Sequence, residues 1–205
     1  MRTLVLECSS ESCSVALFDD DAMIAGSFEL LGRGHAERLV PMIRDLPDKG
    51  RAARVIAGLG PGSFTGVRVA LATARALAFV WQGETRGYPT LALVAAMARA
   101  EAGAVPATVA MTGGHGEWFI EQFDAEGQST VPLASLTPQA ALADARTEVV
   151  AGNQAEALVA LRGSGKALSI LPDARCFALL PQAELTERLE PIYGRGPDAR
   201  LPGAA

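Results

Sequence analysis

Apolar and polar positions change period several times along the chain, and each change marks an element. Arg2 to Cys8 is an apolar run with a polar end, Ser9-Ser10-Glu11-Ser12 is a turn cluster, and Cys13 to Phe18 is a second run closed by Asp19-Asp20-Asp21. Ala22 to Leu30 gives a third run, so three strands on tight connections predict an antiparallel meander. The period then becomes helical. Ala36, Leu39, Val40, Met42, Ile43 and Leu46 recur at three- and four-residue steps across His35 to Leu46, with Pro41 inside as a candidate kink. Arg54 to Gly58 reads as a short buried strand. A glycine-rich turn follows, then a helix from about Thr65 to Trp81 with the stripe Val67, Ala70, Leu71, Ala74, Leu77, Ala78 and Trp81. Thr90 is expected to cap a further helix reaching about Glu101.

The pattern then restarts. Residues 4–19, LVLECSSESCSVALFD, align without a gap with residues 109–124, VAMTGGHGEWFIEQFD, at an offset of 105. Only Phe18/Phe123 and Asp19/Asp124 are identical, but strand, polar turn, strand and acidic turn follow in the same order. A strand (Gly127 to Leu133), a helix (Pro138 to Ala145), a strand (Glu148 to Gly152) and a helix (Gln154 to Arg162) complete the second half. Two hairpins can coincide by chance; a true duplication predicts two α/β lobes, 1–103 and 104–205, hinged at Ala102-Gly103-Ala104-Val105-Pro106. Two mixed sheets with flanking helices, each opening on three antiparallel strands, describe the duplicated two-lobe actin/Hsp70/sugar-kinase (ASKHA) architecture.

Composition narrows the function. With 205 residues, 49% apolar and 20% charged, the chain is outside the disordered class. Its 18 basic and 23 acidic residues leave a net charge of −5, which disfavours a stand-alone RNA-binding module. The two histidines and three cysteines fall at no metal-site spacing, and an odd, sparse cysteine set fits a reducing compartment. No run reaches ~18 apolar residues, and the N-terminus turns acidic at Glu7 without a signal-peptide core, so a cytoplasmic protein without a membrane span is expected. The excess of arginine (16) over lysine (2) reads as composition bias rather than function.

The strongest local signal is Gly58-Leu59-Gly60-Pro61-Gly62-Ser63-Phe64-Thr65-Gly66-Val67-Arg68, between a predicted strand and a predicted helix. Such a turn can present backbone N–H groups and a helix dipole to an anion. It is not a P-loop, because no Lys-Ser or Lys-Thr follows, and Ser63 breaks the dinucleotide fingerprint. On spacing alone, a tight strand-to-helix turn capped by Ser63 or Thr65 is the preferred reading. Cys8 and Cys13 could face each other across the first hairpin and read as packing residues, and no G-x-S-x-G elbow is present.

The segment GPGSFTGVR at 60–68 resembles the signature of the bacterial TsaB (YeaZ) family of tRNA threonylcarbamoyladenosine biosynthesis proteins. ESCSVALFD at 11–19 is similar to the family's first hairpin, GHAERLVPMI at 34–43 to its first helix, and PIYGRGPDAR at 191–200 to its C-terminal tail. The resemblance implies the same ASKHA fold. It also implies a non-catalytic dimerising and activating subunit. Such a subunit pairs with its larger paralogue TsaD, which transfers threonylcarbamoyl to adenosine in tRNAs reading codons that start with A, and with the ATPase TsaE. No cofactor is implied, tRNA is met only through the complex, and the chain alone is expected to form a homodimer. The alternative is a small enzyme of the same fold, either a glycoprotease-like protease of its paralogue or a phosphotransferase.

Further expectations follow from the resemblance. The partner contact would use the two first-lobe helices, here His35, Leu39, Met42 and Ile43 on one and Val69, Thr73, Ala76, Leu77 and Val80 on the other. The glycine-rich turn would comprise Gly60, Pro61, Gly62, Ser63, Phe64, Thr65, Gly66 and Arg68. Phosphoryl chemistry in this fold needs metal-holding carboxylates at the end of the first strand of each lobe, and those places hold Glu7 and Thr112. One surviving acid is a poor Mg²⁺ site, and Glu7 reads as a solvated strand-end acid. TsaD's paired histidines at i and i+4 are absent, since Leu39 follows His35, so no metal is expected. Gly113-Gly114-His115-Gly116 departs from the family pattern. The tail from Pro191 is expected to pack back on the first lobe.

Overall fold

The computed structural model describes residues 1–194. Its first sheet contains β1 (Arg2–Glu7), β2 (Ser12–Asp19), β3 (Ala22–Leu30), β4 (Arg54–Gly58) and β5 (Glu84–Tyr88) in the order β3-β2-β1-β4-β5. The second contains β6 (Ala107–Thr112), β7 (Trp118–Phe123), β8 (Ser129–Leu136), β9 (Val149–Ala151) and β10 (Lys166–Leu168) in the order β10-β9-β6-β7-β8. Each sheet therefore has its first three strands as an antiparallel meander and its first, fourth and fifth parallel. Parallel neighbours need crossover connections. Helices α1 (His35–Arg44) and α2 (Phe64–Trp81) supply them in the first lobe, while α4 (Pro138–Asp144) and α5 (Ala155–Arg162) supply them in the second. This is the ASKHA architecture, built twice.

Helix α3 (Thr90–Ala102) joins the lobes, and its Leu91, Leu93, Val94 and Ala95 are shielded from solvent. Around it, one core layer joins Val5, Phe18, Ile56 and Tyr88 of the first lobe to Val109 and Phe123 of the second. A second layer lies under α1 and α2, where Leu4, Leu6 and Leu17 meet Leu39, Leu71 and Ala74. Strand β1 is thus covered on both faces, which is why it reads as a continuous apolar run rather than an alternation. A third, smaller layer packs Ala110 and Ile120 under Leu158 of α5.

The strand register refines the repeat. Glu7 pairs with Ser14, and Thr112 pairs with Trp118. The first strands correspond at an offset of 105, but the second turn is one residue shorter, so Asp19 corresponds to Phe123 rather than Asp124. The two identities in the ungapped alignment are therefore out of register. Strands β5 and β10 have no counterpart in the sequence reading; both are short, and ETRGY and KAL carry charged or glycine positions that hide the apolar pattern. Pro41 lies inside α1, which continues to Arg44. Thr90 is not a cap: Pro89 precedes the helix as N-cap, and the Thr90 side chain turns inward.

After β10 the chain returns to the first lobe. The Ser12 hydroxyl donates to the Pro172 carbonyl at 3.2 Å, Ala174 N–H donates to Ser14 Oγ at 2.9 Å, and Thr186 bridges Gly87 beside β5. Ile192 N–H then donates to the Leu59 carbonyl at 2.8 Å. The remainder of the 191–200 segment, from Arg195, lies outside the described residues. Helix α2 has 18 residues with a mean hydropathy of 1.3, enough by length and composition alone to cross a membrane; here its Val67, Ala70, Leu71, Ala74 and Ala78 stripe is buried in the first lobe.

Candidate functional site

The glycine-rich turn between β4 and α2 lies directly on the β1–β2 hairpin turn. A Cβ on Gly62 would collide with the Ser9 carbonyl, one on Gly66 with the Cys8 carbonyl, and one on Gly58 with the Glu7 carboxyl. Ser63 N–H donates to the Ser9 carbonyl at 2.6 Å, and Ser63 Oγ caps α2 by accepting Gly66 N–H at 3.2 Å. The glycines are thus required by contact between two turns. The donors that an anion would need at Ser63 and Gly66 are already bonded, which favours the capped-turn reading.

Glu7 is not a solvated acid. It is fully shielded, and its carboxylate accepts from Ser9 N–H at 2.8 Å, Tyr88 Oη at 3.0 Å and Thr90 Oγ1 at 3.2 Å. Thr90 Oγ1 in turn accepts Gly60 N–H at 3.2 Å, so the acid, α3 and the glycine turn form one chain of hydrogen bonds. Burial pushes the Glu7 carboxyl above its ordinary range, against the pull of its hydroxyl and amide donors. Burial and the adjacent Glu7 push the Tyr88 phenol well up. The sequence reading placed Glu7 at the strand end correctly but could not see that Tyr88 and Thr90, 81 and 83 residues away, close over it.

Between the lobes lies a cleft of about 800 Å³. One wall is the Ser9–Glu11 turn and the start of α2; the other is Met111 to Gly114 with Phe119 and Asn153. Thr112, the counterpart of Glu7, lines this cleft and offers no charge; its N–H donates to Asn153 Oδ1 at 2.8 Å, and its hydroxyl accepts from Gln154 at 2.8 Å. Asn153 Nδ2 reaches across the lobes to Glu11 Oε2 at 2.9 Å. The mouth is crossed by the strap Ile192-Tyr193-Gly194, where Arg68 Nη2 donates to Tyr193 Oη at 2.5 Å and its guanidinium lies 3.2 Å from the Phe64 ring centre. His35 is engaged elsewhere, with Nε2 3.1 Å from the Ser12 carbonyl. Among the described residues no three His, Cys, Asp or Glu side chains gather to hold a metal. The polar groups lining the cleft are hydroxyls, the Asn153 amide, the Arg68 guanidinium and the Glu11 carboxylate, and among the described residues no hydroxyl there is shown hydrogen-bonded to a base.

The first-lobe helices divide the expected contact residues into two groups. His35, Leu39, Met42 and Ile43 are buried, because α1 turns its apolar stripe onto β2 and α2. Val69, Thr73 and Leu77 are half-buried, whereas Ala76 and Val80 are exposed. The expected contact set lacks Phe79, 86% exposed, and Val40 on α1, 57% exposed. Their exposure shows only once the inward face of each helix is known. Ala72, Thr73, Ala76, Phe79 and Val80 recur at three- and four-residue steps, so α2 carries an apolar outer face as well as an inner one.

A family model described as "TsaD: tRNA N6-adenosine threonylcarbamoyltransferase" matches residues 29–161. The tRNA threonylcarbamoyladenosine biosynthesis protein TsaB of Escherichia coli is 37% identical over 134 residues, 62% of this chain and 58% of that protein. A Pseudomonas aeruginosa crystal structure described as similar to peptidase YEAZ superposes with a TM-score of 0.78 at 30% identity, covering 95% of this chain and 99% of the other. YeaZ from Pseudomonas aeruginosa gives 0.75 at 29% identity, covering 94% and 99%.

The chain belongs to the TsaB (YeaZ) family, paralogous to TsaD.

The 134-residue match covers little more than half of the Escherichia coli relative, and an 84-residue match, 30% identical, covers 37% of TsaB from Bacillus subtilis. The family match includes the β4–α2 turn, α2 and the second lobe's first hairpin. In this TsaB-family chain the glycine-rich signature is thus part of the joint between two turns, and the strand-end acid is sealed beneath it.

Proposed function

We propose that this chain is a non-catalytic pairing and activating subunit for threonylcarbamoyladenosine formation in tRNAs that read codons starting with A. In this reading it docks TsaD through the outer face of α2 and the exposed edge of α1, TsaE joins the pair, and the chain self-associates through the same face when TsaD is absent. The first lobe, 1–103, carries the contact; the reduced second lobe, 104–205, completes the fold. The complex works in the cytoplasm, and tRNA contact belongs mainly to the partner, in keeping with the net charge of −5.

The observation that carries the reading is the apolar outer face of α2, where Phe79 and Val80 stand 86% and 71% exposed beside small Ala72 and Ala76. Small residues allow a partner helix to approach closely while a large exposed aromatic anchors it. The cleft supports the non-catalytic part, since Glu7 is sealed off and Thr112 has no charge. A reconstituted tRNA modification assay with TsaD and TsaE tests it: omitting this chain should abolish product. Equal product without it, or ATP turnover by this chain alone with Mg²⁺, would overturn the proposal.

A further inference from the structure

The last β1–β2 pair is Glu7–Ser14, and one further step in the same register sets Cys8 opposite Cys13 at the mouth of the hairpin. Their sulfurs lie 3.5 Å apart, and both side chains are buried. Opposed antiparallel residues have Cα atoms about 4.5–5.5 Å apart, inside the range a disulfide spans. We propose that Cys8 and Cys13 are a dithiol modification site at which a small peroxide closes a disulfide across the hairpin turn.

The chemistry is balanced with hydrogen peroxide as oxidant. The Cys13 thiolate attacks the O–O bond to give a sulfenic acid, and the displaced hydroxide takes the proton as water. Cys8 then attacks Cys13 Sγ; the S–S bond forms, the S–O bond breaks, and the hydroxyl leaves with the Cys8 proton as a second water. Two thiols lose two hydrogens and two electrons, and one peroxide becomes two waters. The order of attack follows from the pair itself. The contact between the two sulfurs lowers the Cys13 thiol, while that contact and burial push Cys8 up. Ser9 and Ser10, between the two cysteines in sequence, line the interlobe cleft, whereas both sulfurs lie in the core layer beneath α1 and α2, so the oxidant reaches them through opening of the hairpin turn.

The bond would act where the two lobes meet. The turn it closes carries the Ser9 carbonyl that receives Ser63 N–H, the Glu11 carboxylate that receives Asn153, and the Ser12 hydroxyl bonded to Pro172. Closing the cysteines staples that turn from beneath.

The folded full chain is treated with hydrogen peroxide, denatured, alkylated and digested with trypsin. Both cysteines fall in the peptide 3–33, apart from Cys176. The expected result is a 3–33 peptide lighter by two hydrogen masses, with neither cysteine alkylated, restored by dithiothreitol. In a Cys8→Ser protein the same peptide should not lose two hydrogens, oxygen on Met23 being assigned separately by fragmentation. Amide exchange at Ser63 should slow in the oxidised protein. A 3–33 peptide that keeps two alkylatable cysteines after Cys176 has been oxidised, or one with oxygen on a cysteine and no disulfide, overturns the site. Unchanged Ser63 exchange overturns the stapling.

Discussion

The Tyr88 hydroxyl donates to Glu7 Oε2 at 3.0 Å, with both side chains fully buried. The pair ties the end of β1 to the end of β5, and Thr90 extends the tie to the glycine turn. Because burial raises the Glu7 carboxyl, the folded chain holds that proton more tightly than the unfolded chain. Its contribution to stability is therefore full below the ordinary carboxylate range and declines as pH rises through the raised folded value. Denaturant titrations at several pH values should show the stability of the wild type falling relative to Glu7→Gln between acidic and neutral pH. Parallel profiles would mean that Glu7 does not titrate differently on folding. Tyr88→Phe should cost about 1–3 kcal/mol at neutral pH, because a buried carboxylate loses a donor.

The contact between the two turns gives a second test. Gly62→Ala and Gly66→Ala each place a methyl against a hairpin carbonyl, at Ser9 and Cys8, in a place where backbone rather than a flexible side chain must yield. Overpacking of this kind costs about 1–3 kcal/mol or more. For a chain of this size, thermal midpoints should fall by several degrees, about 2–4 °C for each kcal/mol. Melting curves indistinguishable from wild type would show that the turn shifts freely and that its glycines have another purpose.

What could be read from the sequence follows contact distance. The meander, the glycine turn and α2 rest on local periodicity, and their boundaries lie within a residue or two of the observed ones. The repeat is visible because β1 and β6 share a pattern at a constant offset, and it slips only where the second turn drops a residue. Glu7 was misread because its burial depends on Tyr88 and Thr90, far along the chain and without a local signature. The inner and outer faces of α1 and α2 could not be separated by periodicity alone. Both helices are apolar on more than one side, and only packing against β2 and β4 shows that Leu39 turns in while Phe79 turns out.

Asn153 offers a test of the lobe junction. Its amide donates to both Glu11 oxygens, at 2.9 and 3.1 Å, while its carbonyl accepts Thr112 N–H. Asn153→Asp keeps the shape and the acceptor but turns the donor into a second carboxylate facing the first. The expected loss is about 1–3 kcal/mol at neutral pH. Asn153→Ala loses both bonds without repulsion, so its penalty should be smaller. If the two variants lose the same stability in denaturant titrations, the interlobe bond to Glu11 does not form in solution.

The outer face of α2 gives the sharpest prediction about partners. Phe79 and Val80 stand exposed, and Ala76 lies one turn before Val80, so a charge there costs the isolated fold little. If a partner helix buries this face, Phe79→Glu places an unpaired charge at the centre of the contact. Anchoring aromatics of this kind are worth about 2 kcal/mol or more, so TsaD affinity should fall at least about thirtyfold. The melting temperature and circular dichroism should match wild type. Leu39→Glu is the opposite control: it buries a charge inside the lobe and should unfold the chain outright. Co-sedimentation with TsaD and the self-association of the chain alone should both be lost in Phe79→Glu. Retention of both by a folded Phe79→Glu protein would move the docking surface away from α2.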